Sequence, residues 1–132
     1  MTNTERIDGL AELGCGMIQA QLTLASQSAQ QALQDLWVLG YSWGFFDAAS
    51  QRAKLDQYSE GLLLATVGFN ALVAGSFDLM SGAENVRRAL DLQTDAHFRD
   101  GCTVGGNDLF TWLADTTKAP MSLFNHLCLA DA

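Results

Sequence analysis

The sequence predicts an all-α protein, a compact bundle of four longer and two short helices with glycine-mediated close helix packing. Three observations predict it. Proline occurs once, at Pro120, and no stretch alternates apolar and polar residues as a strand would. Two tetrads, Thr2-Asn-Thr-Glu5 and Ser81-Gly-Ala-Glu84, have the capping-box pattern, in which a hydroxyl accepts from an amide three residues on and the glutamate reaches back. Finally, glycines lie inside apolar helical runs. Gly61, Gly68 and Gly75 recur every seven residues, and Gly40 and Gly44 bracket Tyr-Ser-Trp. Each glycine costs a helix about 1 kcal/mol relative to alanine, and close backbone approach between helices is the usual compensation.

The first helix is expected from about residue 4 to the high twenties, with Ile7, Leu10, Leu13, Met17, Ile18 and Leu22 giving a loose helical stripe. A second begins between Ser28 and Gln31 and frays at Gln51–Lys54; no strong breaker separates it from the first, so a bend and a continuous helix are both open. It is apolar all round from Leu36 to Phe46, which suits a core or an interface. The third runs from Asp56 or Ser59 to Phe77, and its glycines are expected to pack it on the second. The fourth opens at the Ser81 capping box and ends near Gly101. Cys102-Thr-Val-Gly-Gly106 reads as a loop. Asn107 then caps a short helix, and Pro120 fits the first turn of a last one.

The 132 residues are expected to form a single domain, 1–132. Only 17% are charged, against about 25% in typical soluble proteins. So thin a polar cover on a small domain predicts that self-association removes part of the apolar surface from water. The net charge of −8 argues against nucleic-acid binding, which rests on phosphate contacts. It leaves solubility, or a basic protein partner, as its use. Cys15, Cys102 and Cys128 form no paired framework, and the opening residues show no basic segment followed by an apolar one. No signal peptide is therefore expected, and the predicted setting is cytoplasmic. The uncharged run 61–77 sits at the lower limit for a membrane span and carries Asn70 at its middle, so a buried helix is the better reading.

No arrangement carries chemistry convincingly. Asp91, Asp95, His97, Arg99 and Asp100 form the densest polar cluster, in which His97 could act as a base, but a solvated helix end explains it. The Glu-x-x-His motifs of a bundle di-metal site are absent, and residues 100–108 lack the ligand spacing of a calcium loop, so no metal and no cofactor is expected. The aromatic set Trp37, Tyr41, Trp43, Phe45, Phe46, Phe69 and Phe77 reads first as core. Tyr41, Trp43, Asp47 and Asn70 are the candidate binding residues, because Asp47 and Asn70 are polar amid apolar neighbours and need partners, each other or Tyr41 or Trp43, if buried.

Gly40-Tyr41-Ser-Trp-Gly44-Phe-Phe-Asp47-Ala48 resembles the Gly-Tyr-x-x-Gly-x-x-Asp-Ala stretch of small helical immunity proteins that neutralise type VI secretion amidase effectors. The resemblance covers nine residues. It implies that such a helix can serve a dimeric protein-binding scaffold. Those immunity proteins typically carry a signal peptide and cysteine pairs, which this chain does not show.

The expected function is that of a non-enzymatic cytoplasmic interaction protein, an adaptor, inhibitor or scaffold acting as a helical homo-oligomer. Gly40, Gly44, Gly61, Gly68 and Gly75 would supply its close helix contacts, within a subunit or between two. The alternative is a small-molecule-binding protein or enzyme with an aromatic-lined pocket between the second and third helices and Asp47 or His97 as its polar group. A membrane-peripheral subunit is a third reading.

Overall fold

The computed structural model describes residues 2–74 and 80–130, the side chains at 3, 74, 80, 81 and 130 excepted. All regular structure among them is helical: α1 (Asn3–Leu24), α2 (Ala29–Ala32), α3 (Leu36–Arg52), α4 (Glu60–Ala74), α5 (Met80–Asp91), α6 (Ala96–Ala114) and α7 (Ser122–Ala130). No described helix is long and apolar enough to cross a membrane. Gly75 and Phe77 lie outside the described residues, as does the Ser81 side chain on which the second capping box depends.

The Thr2–Glu5 capping box is formed and starts α1. The break after α1 needs no glycine. Ser26 takes φ 56°, and the chain closes with Gln27 N on Leu22 O and Ser26 N on Thr23 O, the paired bonds of a Schellman end. Lys54, at φ 58°, ends α3 the same way, with Leu55 N on Ser50 O. Ser28 then caps the four-residue α2, and Asp35 caps α3 through a 2.8 Å bond from Trp37 N. The expected second helix is thus two helices, separated from α1 by a left-handed serine.

α3 is the central helix. Val38, Leu39, Tyr41, Phe45 and Phe46 are fully buried on it, and it packs on α1, α4, α5 and α6. Phe46 enters a slot between α1 and α4 made by two missing side chains. A Cβ at Gly68 would lie 2.5 Å from the Phe46 ring, and one at Gly14 would lie 2.9 Å from it. Phe69 closes the slot edge-on, with ring centroids 5.3 Å apart. A Cβ at Gly61, in the first turn of α4, would lie 2.9 Å from the Ser50 hydroxyl of α3.

The most extensive pairing is α3 with α6, and here the structure corrects the sequence reading. Gly40 and Gly44 do not face α4. A Cβ on Gly40 would strike the carbonyl of Phe98, and one on Gly44 that of Cys102. Reciprocally, Gly101 faces the carbonyl of Trp37 and Gly105 that of Tyr41. The numbers rise together on both helices, so α3 and α6 run parallel. Two Gly-x-x-x-Gly units, 40–44 and 101–105, interlock backbone to backbone, an arrangement that favours weak Cα–H···O contacts. For the same reason Cys102–Gly106 is no loop. It is the middle of a 19-residue helix, whose glycines are held helical by their partner. Asn107 caps nothing, and Gly101 ends nothing; Asp95 caps α6 through Phe98 N at 3.0 Å.

Candidate functional site

Two of the places where polar side chains meet involve residues singled out from the sequence. One is interior. The Tyr41 hydroxyl, with no exposed surface, donates to Asp108 Oδ2 at 2.7 Å and accepts from Gln21 Nε2 at 3.0 Å. Asp108 also accepts from Ser122 N at 3.2 Å and from Ser122 Oγ at 2.8 Å, while Gln21 Oε1 accepts from Phe124 N at 3.1 Å. Gln21 and Asp108 therefore cap the first turn of α7 from two other helices, satisfying amides that a helix start leaves open. Burial first, then the hydrogen bond to Asp108 and its charge, outweigh the opposing Gln21 bond and push the Tyr41 hydroxyl well above its ordinary pKa. Every group of this network is consumed in joining α1, α3, α6 and α7. Beside it, His126 stacks on Trp37 at 4.0 Å and 10°, with its Nε2 3.0 Å from Asp35 Oδ2, and the Trp37 indole donates to Asp100 at 2.8 Å. Pro120 is buried just before α7, not in its first turn.

The second place is a groove. On one side of the α3–α6 seam an open cleft of about 370 Å³ runs along both helices. Its floor is made by Gly44, Cys102 and Gly106, positions with little or no side chain. Trp43 and Phe110 stand as aromatic walls, and Asp47 and Arg99 bring opposite charges. Trp43 and Asp47 are half-buried and Arg99 is exposed. Asp47 accepts from Gln51 Nε2 at 2.8 Å; the Arg99 guanidinium has no hydrogen bond or ion pair among the described residues. Burial, then the nearby Asp47 carboxylate, push the Cys102 thiol up to about 12. It is protonated at neutral pH and is no nucleophile.

Of the four candidate binding residues, Trp43 and Asp47 line this groove. Tyr41 belongs to the interior network. Asn70 is buried on α4 at 2% exposure, where its Cβ would lie 3.0 Å from one placed on Gly82 of α5. The pairings of Asp47 with Asn70, Tyr41 or Trp43 are replaced by the Asp47–Gln51 bond. The larger cleft lies between α3 and α6, whereas the pocket that Trp43 and Asp47 line with Gly61, Leu62 and Ala65 of α4 holds about 20 Å³. The Asp91–Asp100 cluster is divided: Asp91 ends α5, Asp95 caps α6 and His97 is exposed in the first turn of α6. It is a helix start, not the helix end expected. No group of three or more metal-ligating side chains occurs among the described residues.

Sequence reasoning missed Gln21, Asp108 and Arg99. Arg99 was visible only as one charge in a cluster, because its partnership with Trp43 and Asp47 depends on the continuity of α6. A second glycine pair four residues apart, Gly101 and Gly105, matching Gly40 and Gly44, was the signal for that continuity.

No family model matches the chain, and neither the curated proteins nor the solved structures contain a match to it.

Proposed function

We propose that the chain is a non-enzymatic interaction protein, of the adaptor, inhibitor or scaffold type, that receives its partner in the α3–α6 groove and acts in the cytoplasm as a homo-oligomer. The observation that carries this reading is the division of labour between the two polar sites. Tyr41, Asp108 and Gln21 are used up in holding helices together. Trp43, Phe110 and Arg99 project from a backbone-to-backbone helix pair that fixes their spacing without using them. Half-exposed aromatics beside an unpaired arginine are the composition of binding anchors. The protonated Cys102 thiol favours binding over catalysis in the same groove.

A separate cleft supports self-association. It holds about 290 Å³, is lined mainly by apolar side chains of α1, α3 and α6, and is flanked by Leu13 and Leu113, each more than a third exposed. Light scattering at tens of micromolar tests this half: a dimer or larger species is expected, and a clean monomer overturns it. The groove is tested by recovering binding partners with the native protein and with a Trp43→Ala/Asp47→Ala variant of unchanged melting temperature. Loss of a specifically retained protein is expected; full retention by the variant overturns the groove as the docking site.

One observation favours the small-molecule alternative. The groove volume lies within the range of about 300–1,000 Å³ usual for ligand sites. A bound small molecule in native mass spectrometry would decide for it.

A further inference from the structure

The geometry points to a zwitterion as the occupant of the α3–α6 groove, an extended ω-amino carboxylate of the kind presented by a C-terminal lysine, its ammonium between Trp43 and Asp47 and its carboxylate on Arg99. This rests on the groove being the docking site.

Helix register places the two charged residues along the groove. A Cβ on Gly106 would sit 3.7 Å from Gly44 O and 3.8 Å from the Ala48 Cβ. Gly106 therefore stands level with residues 44–48 of α3, and Asp47 lies at that level. Arg99 is seven residues earlier on α6, two turns or roughly 10 Å along the axis. The groove thus carries an acidic and a basic residue placed roughly two helical turns apart along its axis. A lysine with a free carboxylate has both charges at the ends of a flexible four-carbon stem.

The chemistry of each end fits. A tryptophan face next to a carboxylate attracts an ammonium by cation–π and ionic terms together. A guanidinium with no other partner among the described residues offers a two-pronged donor to a carboxylate. Between them the floor is bare. Gly106 is the informative residue, because helix packing does not demand a glycine there: its absent Cβ has only ordinary van der Waals neighbours. In mid-helix the glycine costs about 1 kcal/mol relative to alanine, and what it leaves open is the groove.

The test follows the Trp43 indole N–H by NMR in ¹⁵N-labelled protein, assigned with Trp43→Phe, while adding 6-aminohexanoate, hexylamine or hexanoate. Saturable shifts at Trp43 and not at Trp112 are expected, with the zwitterion binding about tenfold more tightly than either single-headed compound. Arg99→Gln should bring 6-aminohexanoate to the level of hexylamine, and Asp47→Asn to that of hexanoate. Gly106→Leu should abolish binding with helicity and melting temperature retained. Equal affinity of all three compounds, or no shift at Trp43, overturns the proposal. A peptide ending in lysine, with a free or an amidated C-terminus, identifies the source. Tighter binding of the free form than of 6-aminohexanoate assigns a protein terminus, and equal binding assigns a free ω-amino acid. If the zwitterion fails while partner recovery still depends on Trp43 and Asp47, only the ligand class falls; if both fail, the docking site falls with it.

Discussion

The fully buried Tyr41 of α3 donates its hydroxyl proton to the half-buried Asp108 of α6 at 2.7 Å, and Asp108 in turn caps α7. The parallel α3–α6 pair is therefore joined by its interlocked glycines, by the Trp37–Asp100 bond and by the Tyr41–Asp108 bond, which also fastens the last helix.

Tyr41→Phe should destabilise the protein by about 1–3 kcal/mol, because it withdraws a donor from a half-buried carboxylate and an acceptor from the buried Gln21. Amide exchange at Ser122 and Phe124 should accelerate more than exchange in α4. A melting temperature equal to that of the native protein would show that water replaces the bond. The same hydroxyl sets an alkaline limit. Its folded-state pKa is raised above the ordinary value of 10 by burial first and Asp108 second. The unfolded chain therefore loses this proton first. The stabilising effect is complete below pH 10 and declines above it. Tyr41→Phe should flatten that decline in a denaturation series from pH 9 to 11.

The glycines divide into two classes with opposite expected responses. Gly40→Ala, Gly101→Ala and Gly105→Ala each drive a methyl into a backbone carbonyl of the facing helix, which cannot rotate away. Each should cost at least about 1–3 kcal/mol. Gly68→Leu should cost a similar amount, since it fills the slot that holds the Phe46 ring. Gly9 and Gly16 on α1 meet nothing, and alanine at either should stabilise by up to about 1 kcal/mol through helix propensity. Denaturant midpoints of this set test the interlock directly: a neutral Gly105→Ala would mean that α3 and α6 stand further apart.

Lys54 ends α3 in the left-handed region at φ 58°. The conformation costs an L-residue about 1–2 kcal/mol and a glycine almost nothing, a gain partly offset by the looser unfolded chain. Lys54→Gly should raise the melting temperature by about 2–5 °C. A drop would indicate that the lysine stem contributes more by packing than its backbone loses.

Those helix ends also explain how far the fold was legible. The all-helical class, the Thr2 capping box and the burial of the Leu36–Phe46 face follow from patterns local to the chain. The boundary after α1 was hidden because a serine, not a glycine, takes the left-handed position. The α6 helix was hidden because Gly-Gly at 105–106 reads locally as a turn, whereas in the fold it packs on α3, Gly105 against Tyr41 and Gly106 against Gly44 and Ala48. The site suffered accordingly. Trp43 and Asp47 stood out as an aromatic and a charge in an apolar helix, but half of their groove lies on a helix that local reading broke into a loop. Asn70 shows the same polar-amid-apolar signal as Asp47 and is a core residue, as is Tyr41 of the aromatic set, because that signal marks a need for a partner without saying whether the partner is protein or ligand.

The cysteines should label in a set order. Cys102 lies under the groove with its thiol pushed up to about 12, whereas Cys128 is exposed on α7. Iodoacetamide at pH 8 should modify Cys128 well before Cys102, read by peptide mass, since the thiolate is the reacting form. Asp47→Asn removes the charge that opposes the Cys102 thiolate and should speed its labelling modestly. Faster reaction at Cys102 than at Cys128 in the native protein would contradict the burial of the groove floor.

The acid limit of stability should lie at Asp35. Burial by itself would raise its carboxyl, but the hydrogen bond with His126, those from Trp37 N and Val38 N, and the His126 charge outweigh it and hold the pKa below the ordinary 3.8. A lowered carboxyl contributes stability that is present above that ordinary value and is lost as the pH falls through the folded-state value. His126→Ala removes both the partner and the ring stacked on Trp37. The Asp35 pKa should then move back toward 3.8, and the acid unfolding midpoint should move to higher pH. Near-ultraviolet dichroism, which reports the Trp37 stack, should be reduced in the variant even at neutral pH. His126→Phe keeps the stack and discards the charge, so it should restore the tryptophan signal and leave the acid midpoint displaced. Coincident acid limbs in all three proteins would mean that Asp35 acts only as the cap of α3.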